Sequence, residues 1–158
     1  KKLVAFCLEH SLSGLVWAAG IPGTVGGAVR GNAAAFSASM ADNISQVTFF
    51  DSKTGKTDSL SNKDCDFSYK ESVFKKRPGL VVLEAVFALE KGDGQKMEGE
   101  ARKYLAYRRE NHPLGQSSAG CIFKNYEAGI ENRKLIEKYP LLEKFNEISV
   151  VQSGYAIE

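Results

Sequence analysis

At 158 residues the chain has room for one ordinary domain or parts of two, and its 43% hydrophobic and 25% charged residues are those of a soluble globular protein. A formal net charge of +2 is too small to mark a nucleic-acid or anionic-membrane binder. No apolar run approaches the roughly 20 residues of a membrane-spanning helix, and no stretch has the make-up of a signal peptide. The cysteines, Cys7, Cys65 and Cys121, are odd in number and lack metal-ligand spacing, so they read as reduced thiols of a cytosolic protein. With only His10 and His112 present, no histidine metal site is expected.

In chain order, Leu3, Val4, Phe6, Cys7 and Leu8 predict an amphipathic helix over the first ten residues, broken by Ser11 to Gly14. Leu15 to Ala19 is a short apolar approach, with Trp17 expected in the core. The densest feature follows: Gly20-Ile21-Pro22-Gly23-Thr24-Val25-Gly26-Gly27-Ala28-Val29-Arg30-Gly31-Asn32-Ala33-Ala34, fifteen residues with five glycines and one proline. Thr24 is placed to cap a short helix over Val25 to Val29. Glycine there lets a ligand approach the backbone closely, which suits a phosphate or the polar edge of a ring cofactor. A tightly packed turn without a ligand is the equal alternative on spacing alone. Ala33, Ala34, Ala35 and Ala38 leave room for close packing beside it.

Gln46 to Phe50, a turn at Ser52 to Gly55, and Lys56 to Ser59 predict a hairpin. Leu80 to Leu89, nearly all apolar, predicts a central strand closed by Gly92-Asp93-Gly94. Lys96 to Glu110 predicts a helix with Met97, Ala101, Tyr104 and Leu105 buried, ended by Pro113. The change from strands to a charged helix sets an expected domain boundary, 1–93 and 94–158. Cys121 to Lys124 reads as a short strand, and Arg133 to Phe145 as helix interrupted by Pro140. The helical start at Lys1 and the abrupt end at Glu158 suggest a fragment of a longer chain.

Two further stretches combine small and polar residues. In Phe67-Ser68-Tyr69-Lys70-Glu71-Ser72-Val73-Phe74, alternation puts Phe67 and Tyr69 on one face and Lys70 and Ser72 on the other; a solvated edge strand is the plainer reading. In Ser118-Ala119-Gly120-Cys121-Ile122-Phe123-Lys124-Asn125, a thiol follows a flexible glycine, with an ammonium and an amide close behind. The plainer reading there is a buried cysteine acting as a small hydrophobe.

Taken together, the glycine segment with Asn32-Ala33, the Phe67-x-Tyr69-Lys70-x-Ser72-x-Phe74 stretch, Arg108-Arg109 with Pro113-Leu114, and Ser118-Ala119-Gly120-Cys121-x-Phe123-Lys124-Asn125 resemble the UDP-N-acetylenolpyruvoylglucosamine reductase family. The motifs occur in the family's order and cover residues 1–125 well and the rest loosely. The resemblance implies an α+β chain: the second half of a vanillyl-alcohol-oxidase-like (PCMH-type) FAD-binding domain, then the start of an α+β substrate-binding domain. It also implies a cytoplasmic enzyme of peptidoglycan precursor synthesis, monomeric when full length, with no nucleic-acid or membrane partner. NADPH would reduce FAD, and the enolpyruvyl ether of UDP-N-acetylglucosamine would be reduced to the lactyl ether of UDP-N-acetylmuramate.

By the same resemblance, the cofactor-binding positions are Gly20, Ile21, Pro22, Gly23, Thr24, Gly26, Gly27, Ala28, Asn32 and Ala33. Lys70 would stabilise negative charge on the substrate carboxylate, in place of the family's usual arginine, whose planar fork it lacks. Cys121 would supply the proton, in place of the usual serine. Tyr69, Arg109, Lys124 and Asn125 would contact the substrate. The family's late glutamate would fall beyond Glu158, and the segment holding the adenine end of FAD before Lys1. Two alternatives stay open: another FAD-dependent oxidoreductase of the same superfamily, and a non-catalytic protein that binds a nucleotide sugar.

Overall fold

The structure is a computed structural model that describes residues 1–112 and the backbone of two short strands at 126–127 and 150–151. The chain divides into two compact units, Lys1–Leu114 and Gly115–Glu158. The expected boundary after residue 93 falls inside the first unit. In the second, β6 (Tyr126–Glu127) pairs antiparallel with β7 (Val150–Val151). The predicted strand at Cys121 to Lys124 and the predicted helix at Arg133 to Phe145 lie outside the described residues, as does Pro113.

Helix α1 (Lys2–Glu9) buries Val4 and Cys7, three residues apart and hence on one face. It ends where Ser11 takes a positive φ of 50°. A 3-10 turn at Val16–Ala18 follows and divides its side chains between two cores. Trp17 enters the larger core, with Val29, Val47, Phe49, Phe74 and Leu80 among its members. Val16 and Ala19 join Val4, Met97 and Ala101 in a smaller helical one. The segment leading into the glycines is therefore anchored on both sides.

The glycine segment forms α2 (Val25–Arg30), after which a small hairpin, β1 (Ala34–Ala35) and β2 (Ala38–Ser39), turns through Phe36 and Ser37. Both turn residues have positive φ, 52° and 61°, as a type I′ hairpin turn requires. The main sheet is antiparallel in the order β4-β3-β5, with β3 (Ile44–Asp51) paired to β4 (Lys56–Ser61) and to β5 (Leu80–Phe87). The predicted hairpin is present, with both strands slightly longer than expected.

The expectation that β5 is central is corrected. In this three-stranded sheet β5 lies at an edge and β3 is the middle strand. Its apolar run is half covered: Leu80 is buried, while Val81 and Leu83 stand more than half exposed, at 51% and 58%. A continuous apolar run shows that both faces tolerate burial, not that the described residues supply both covers.

Phe74, on the short helix α3 (Val73–Lys76), is fully buried, with its ring 5.8 Å from that of Phe49. That burial contributes about 1.5–3 kcal/mol. Helix α4 (Gly94–Asn111) starts at Asp93, whose carboxylate accepts the Lys96 amide at 3.1 Å. Met97 and Ala101 are buried as expected, but Leu105 is 43% exposed. Tyr104, also expected on the inner face, is partly buried and packs against both cores. Cys7 and Cys65 are buried free thiols. Burial, helped by the charge of Asp64, pushes Cys65 up to about 11, which keeps it protonated and unreactive. Among the described residues no helix is long and apolar enough to cross a membrane.

Candidate functional site

The site is built on the glycine segment. Gly20 has φ of +82° and Gly23 of +103°, conformations that disfavour any side chain. Their surroundings differ. A Cβ on Gly20 would come within 2.9 Å of Arg108 Cδ, so that residue is small because α4 sits on it. A Cβ on Gly23 would meet nothing within 4 Å, so there the backbone is open to a ligand. Pro22, Gly23 and Thr24 are all exposed.

Thr24 caps α2 as expected, its hydroxyl accepting the Gly27 amide at 3.1 Å. Replacing Thr24 with alanine should cost about 0.5–2 kcal/mol, read as a lower urea midpoint with an unchanged denaturant slope. An unchanged midpoint would remove the cap from the account of the loop. Gly26 faces the sheet, its Cβ position 3.6 Å from the Val82 carbonyl oxygen. It lets α2 lie directly on β5. Ala28 and Ala33 are joined by a backbone bond, Ala33 N–H donating to Ala28 at 2.8 Å. Of the predicted cofactor positions, then, Pro22 to Thr24 form the exposed rim, while Gly20 and Gly26 serve contacts within the fold.

Asn32, also predicted to meet the cofactor, is buried with φ of +40°. Its amide nitrogen donates to the Ser68 carbonyl at 2.9 Å, and its amide oxygen accepts the Ala41 N–H at 3.0 Å. The side chain is committed to joining two loops.

The second motif is not the alternating strand that was expected. Ser68 and Glu71 exchange backbone hydrogen bonds at 3.2 and 3.1 Å across a tight turn whose corner, Lys70, has φ of +57°. Ser72 then begins α3 and is fully buried, its hydroxyl donating to the Arg30 carbonyl at 2.6 Å. The left-handed corner breaks the period of two on which the expectation rested.

This turn is stitched to the glycine segment by three side chains. Asn32 reaches Ser68, Ser72 reaches Arg30, and the Lys70 ammonium donates to the Ala34 carbonyl at 3.0 Å. The Lys75 ammonium holds the Lys70 carbonyl at 2.9 Å and pairs with Glu71 at 3.1 Å. Lys70 Nζ lies 5.8 Å from the centre of the Tyr69 ring, which is 40% exposed. Two motifs far apart in sequence are thus joined at the Arg30–Ala34 end of the glycine segment, which brings an ammonium and an exposed aromatic ring to that end. Cys121, Lys124 and Asn125 lie outside the described residues.

Sequence reasoning singled out Arg109 on α4, which is exposed. It missed Arg108. Arg108 Nε donates to the Ala19 carbonyl at 2.9 Å, and its guanidinium carbon lies 5.3 Å from the centre of the Phe36 ring. Burial pulls its pKa below the ordinary arginine value, opposed in part by Tyr107. Phe36 in turn stacks on Tyr104 at 4.2 Å. No local signal marks these contacts, since the Phe36-Ser37 turn lacks the Asn-Gly or Asp-Gly usual in such hairpins.

No protein-family model matches the chain. Individual proteins do. The chain is 40% identical over 153 residues to UDP-N-acetylenolpyruvoylglucosamine reductase of Clostridium novyi (strain NT), a match spanning 95% of this chain and 49% of that protein. It is 40% identical over 125 residues to UDP-N-acetylenolpyruvoylglucosamine reductase 1 of Bacillus cereus, spanning 78% and 41%. The chain belongs to the UDP-N-acetylenolpyruvoylglucosamine reductase family.

It spans about half the length of the curated reductases it matches. Among solved structures, UDP-N-acetylenolpyruvylglucosamine reductase (MurB) from Thermus caldophilus superposes with a TM-score of 0.68 at 29% identity, over 89% of this chain and 50% of that one. The expected α+β class agrees with that reductase match and with the mixed helices and strands described above.

Proposed function

We propose that this chain is part of an NADPH-dependent flavoenzyme that reduces UDP-N-acetylenolpyruvoylglucosamine to UDP-N-acetylmuramate. The observation that carries the reading is the likeness to a named reductase along 95% of the chain. The glycine segment supports it: its backbone is open and exposed at Gly23, and the Lys70 ammonium is held at its other end by the Ala34 carbonyl, features that suit a flat, phosphate-bearing cofactor. In this reading residues 1–93 are the later part of a PCMH-type FAD-binding domain, and residues 94–158 begin the substrate-binding domain. The enzyme is cytoplasmic and monomeric.

Bound FAD would supply hydride chemistry, charged by NADPH and delivered to the methylene carbon of the substrate. The chain's own residues do the rest. Pro22 to Thr24 give the cofactor a wall without side chains larger than threonine. Lys70 supplies positive charge toward the substrate carboxylate, where negative charge grows as the hydride arrives; a well-placed donor of this kind is worth about 2.7–4 kcal/mol. Cys121 gives its proton to the carbon that bears the carboxylate. Tyr69, Arg109, Lys124 and Asn125 bind the nucleotide sugar.

Anaerobic spectroscopy of the full-length protein tests this directly. NADPH should bleach the flavin absorption band, and the enolpyruvyl substrate should restore it. A band that NADPH leaves unchanged, or a bleached band that the substrate cannot restore, would refute the assignment.

A further inference from the structure

Arg108 is an expensive residue to keep where it is. A guanidinium withdrawn from water needs its donors satisfied or its charge offset. Its Nε has the Ala19 carbonyl at 2.9 Å, and its charge faces the Phe36 ring at 5.3 Å. Its Nη2 is buried and finds no hydrogen-bond partner among the described residues. The neighbourhood has also been cut to fit: Gly20, at φ of +82°, leaves no space for a Cβ because Arg108 Cδ would be 2.9 Å away. Phe36 holds its positive φ of 52° while stacked on Tyr104, one helical turn before Arg108 on α4. A structural tether for Ala19 needs only one donor. A planar fork with a second donor buried and unused among the described residues is more than the tether requires.

From this we infer that Arg108 is a positioning residue for the flavin nucleotide. Nε fixes the carbonyl of Ala19, and with it the entry to the Gly20–Gly23 backbone, while Nη2 is held to donate to an acceptor oxygen of the bound nucleotide. The inference rests on the reading of the glycine segment as part of a flavin pocket. It goes beyond that reading by giving α4 a direct part in the affinity, through the arginine that precedes the exposed Arg109.

The test uses the full-length protein stripped of flavin and titrated with FAD, followed by quenching of flavin fluorescence. Arg108→Met keeps the aliphatic stem against Gly20 and Phe36 and removes every donor. It should weaken FAD binding about 10- to 100-fold, the usual effect of losing a hydrogen bond to a charged group. It should also alter the visible circular dichroism of the bound flavin, which loss of packing alone would not move at saturation. Arg108→Lys keeps the charge and one donor and should fall between the methionine variant and wild type. Binding by Arg108→Met within twofold of wild type, with an unchanged flavin spectrum, would overturn the inference. Should the methionine variant not fold, as judged by thermal unfolding of the apo form, Arg108→Lys decides: wild-type affinity overturns the inference and a clear loss supports it. A wild-type protein that binds no flavin at all removes the functional reading itself, and the inference falls with it.

Discussion

In the full-length protein, Cys121→Ala should slow reoxidation of the reduced flavin by the enolpyruvyl substrate about 10²–10⁴-fold, the range for losing a general acid. Reduction of the flavin by NADPH should stay near the wild-type rate, because no proton from this residue is needed in that half of the cycle. Rapid-mixing measurement of the two half-reactions separates these effects. Cys121→Ser should recover much of the loss, since serine stands there in the family pattern that the sequence resembles. The two acids should differ in pH response. A thiol has a reference pKa of about 8.5 and an alcohol does not titrate in the accessible range. The cysteine enzyme should therefore lose its second half-reaction as pH rises through the thiol pKa, and the serine variant should not show that alkaline limb. If Cys121→Ala reoxidised at the wild-type rate, the proton would come from elsewhere and the assigned role would be withdrawn.

What was legible in the sequence follows from how far each interaction reaches. The cap on α2 was legible because Thr24 and the Gly27 amide are three residues apart. The hairpin of β3 and β4 was legible because its turn, Ser52 to Gly55, lies between its strands. The Ser68–Ser72 turn was not. Ser72 is buried because its hydroxyl answers a carbonyl 42 residues away, and Lys70 turns left-handed while its ammonium bonds a carbonyl 36 residues away. Neither partner can be named from the local pattern. Arg108 is the extreme case, its Nε partner lying 89 residues upstream. Of two adjacent arginines, the sequence offers no reason to choose the one that docks. The edge position of β5 was hidden for a different reason: an apolar run records what a strand can bury, and strand order depends on which segments pair with it.

The same reasoning makes Asn32 the most vulnerable residue of the loop cluster. Its one amide satisfies two backbone groups that belong to different loops, the Ala41 N–H and the Ser68 carbonyl. Asn32→Ala strands both. Leaving a buried donor or acceptor unpaired costs about 1–3 kcal/mol each, and alanine also tolerates the positive φ of 40° less well than asparagine. A total loss of about 2–4 kcal/mol follows if water reaches one of the two groups in part. Urea unfolding of the full-length protein should show this as a lower midpoint. Asn32→Asp separates the two bonds: it keeps an acceptor for Ala41 N–H, loses the donor to Ser68 and buries a charge. The structural loss should also reach function, because Ser68 and Lys70 lie on the same turn. Released from Asn32, that turn holds the Lys70 ammonium less firmly against Ala34, and the Michaelis constant for the enolpyruvyl substrate should rise at temperatures where the variant is still folded. A variant destabilised as stated but with an unchanged Michaelis constant would show that the stitching serves the fold alone, and that Lys70 is held in place by Ala34 and Lys75 without it.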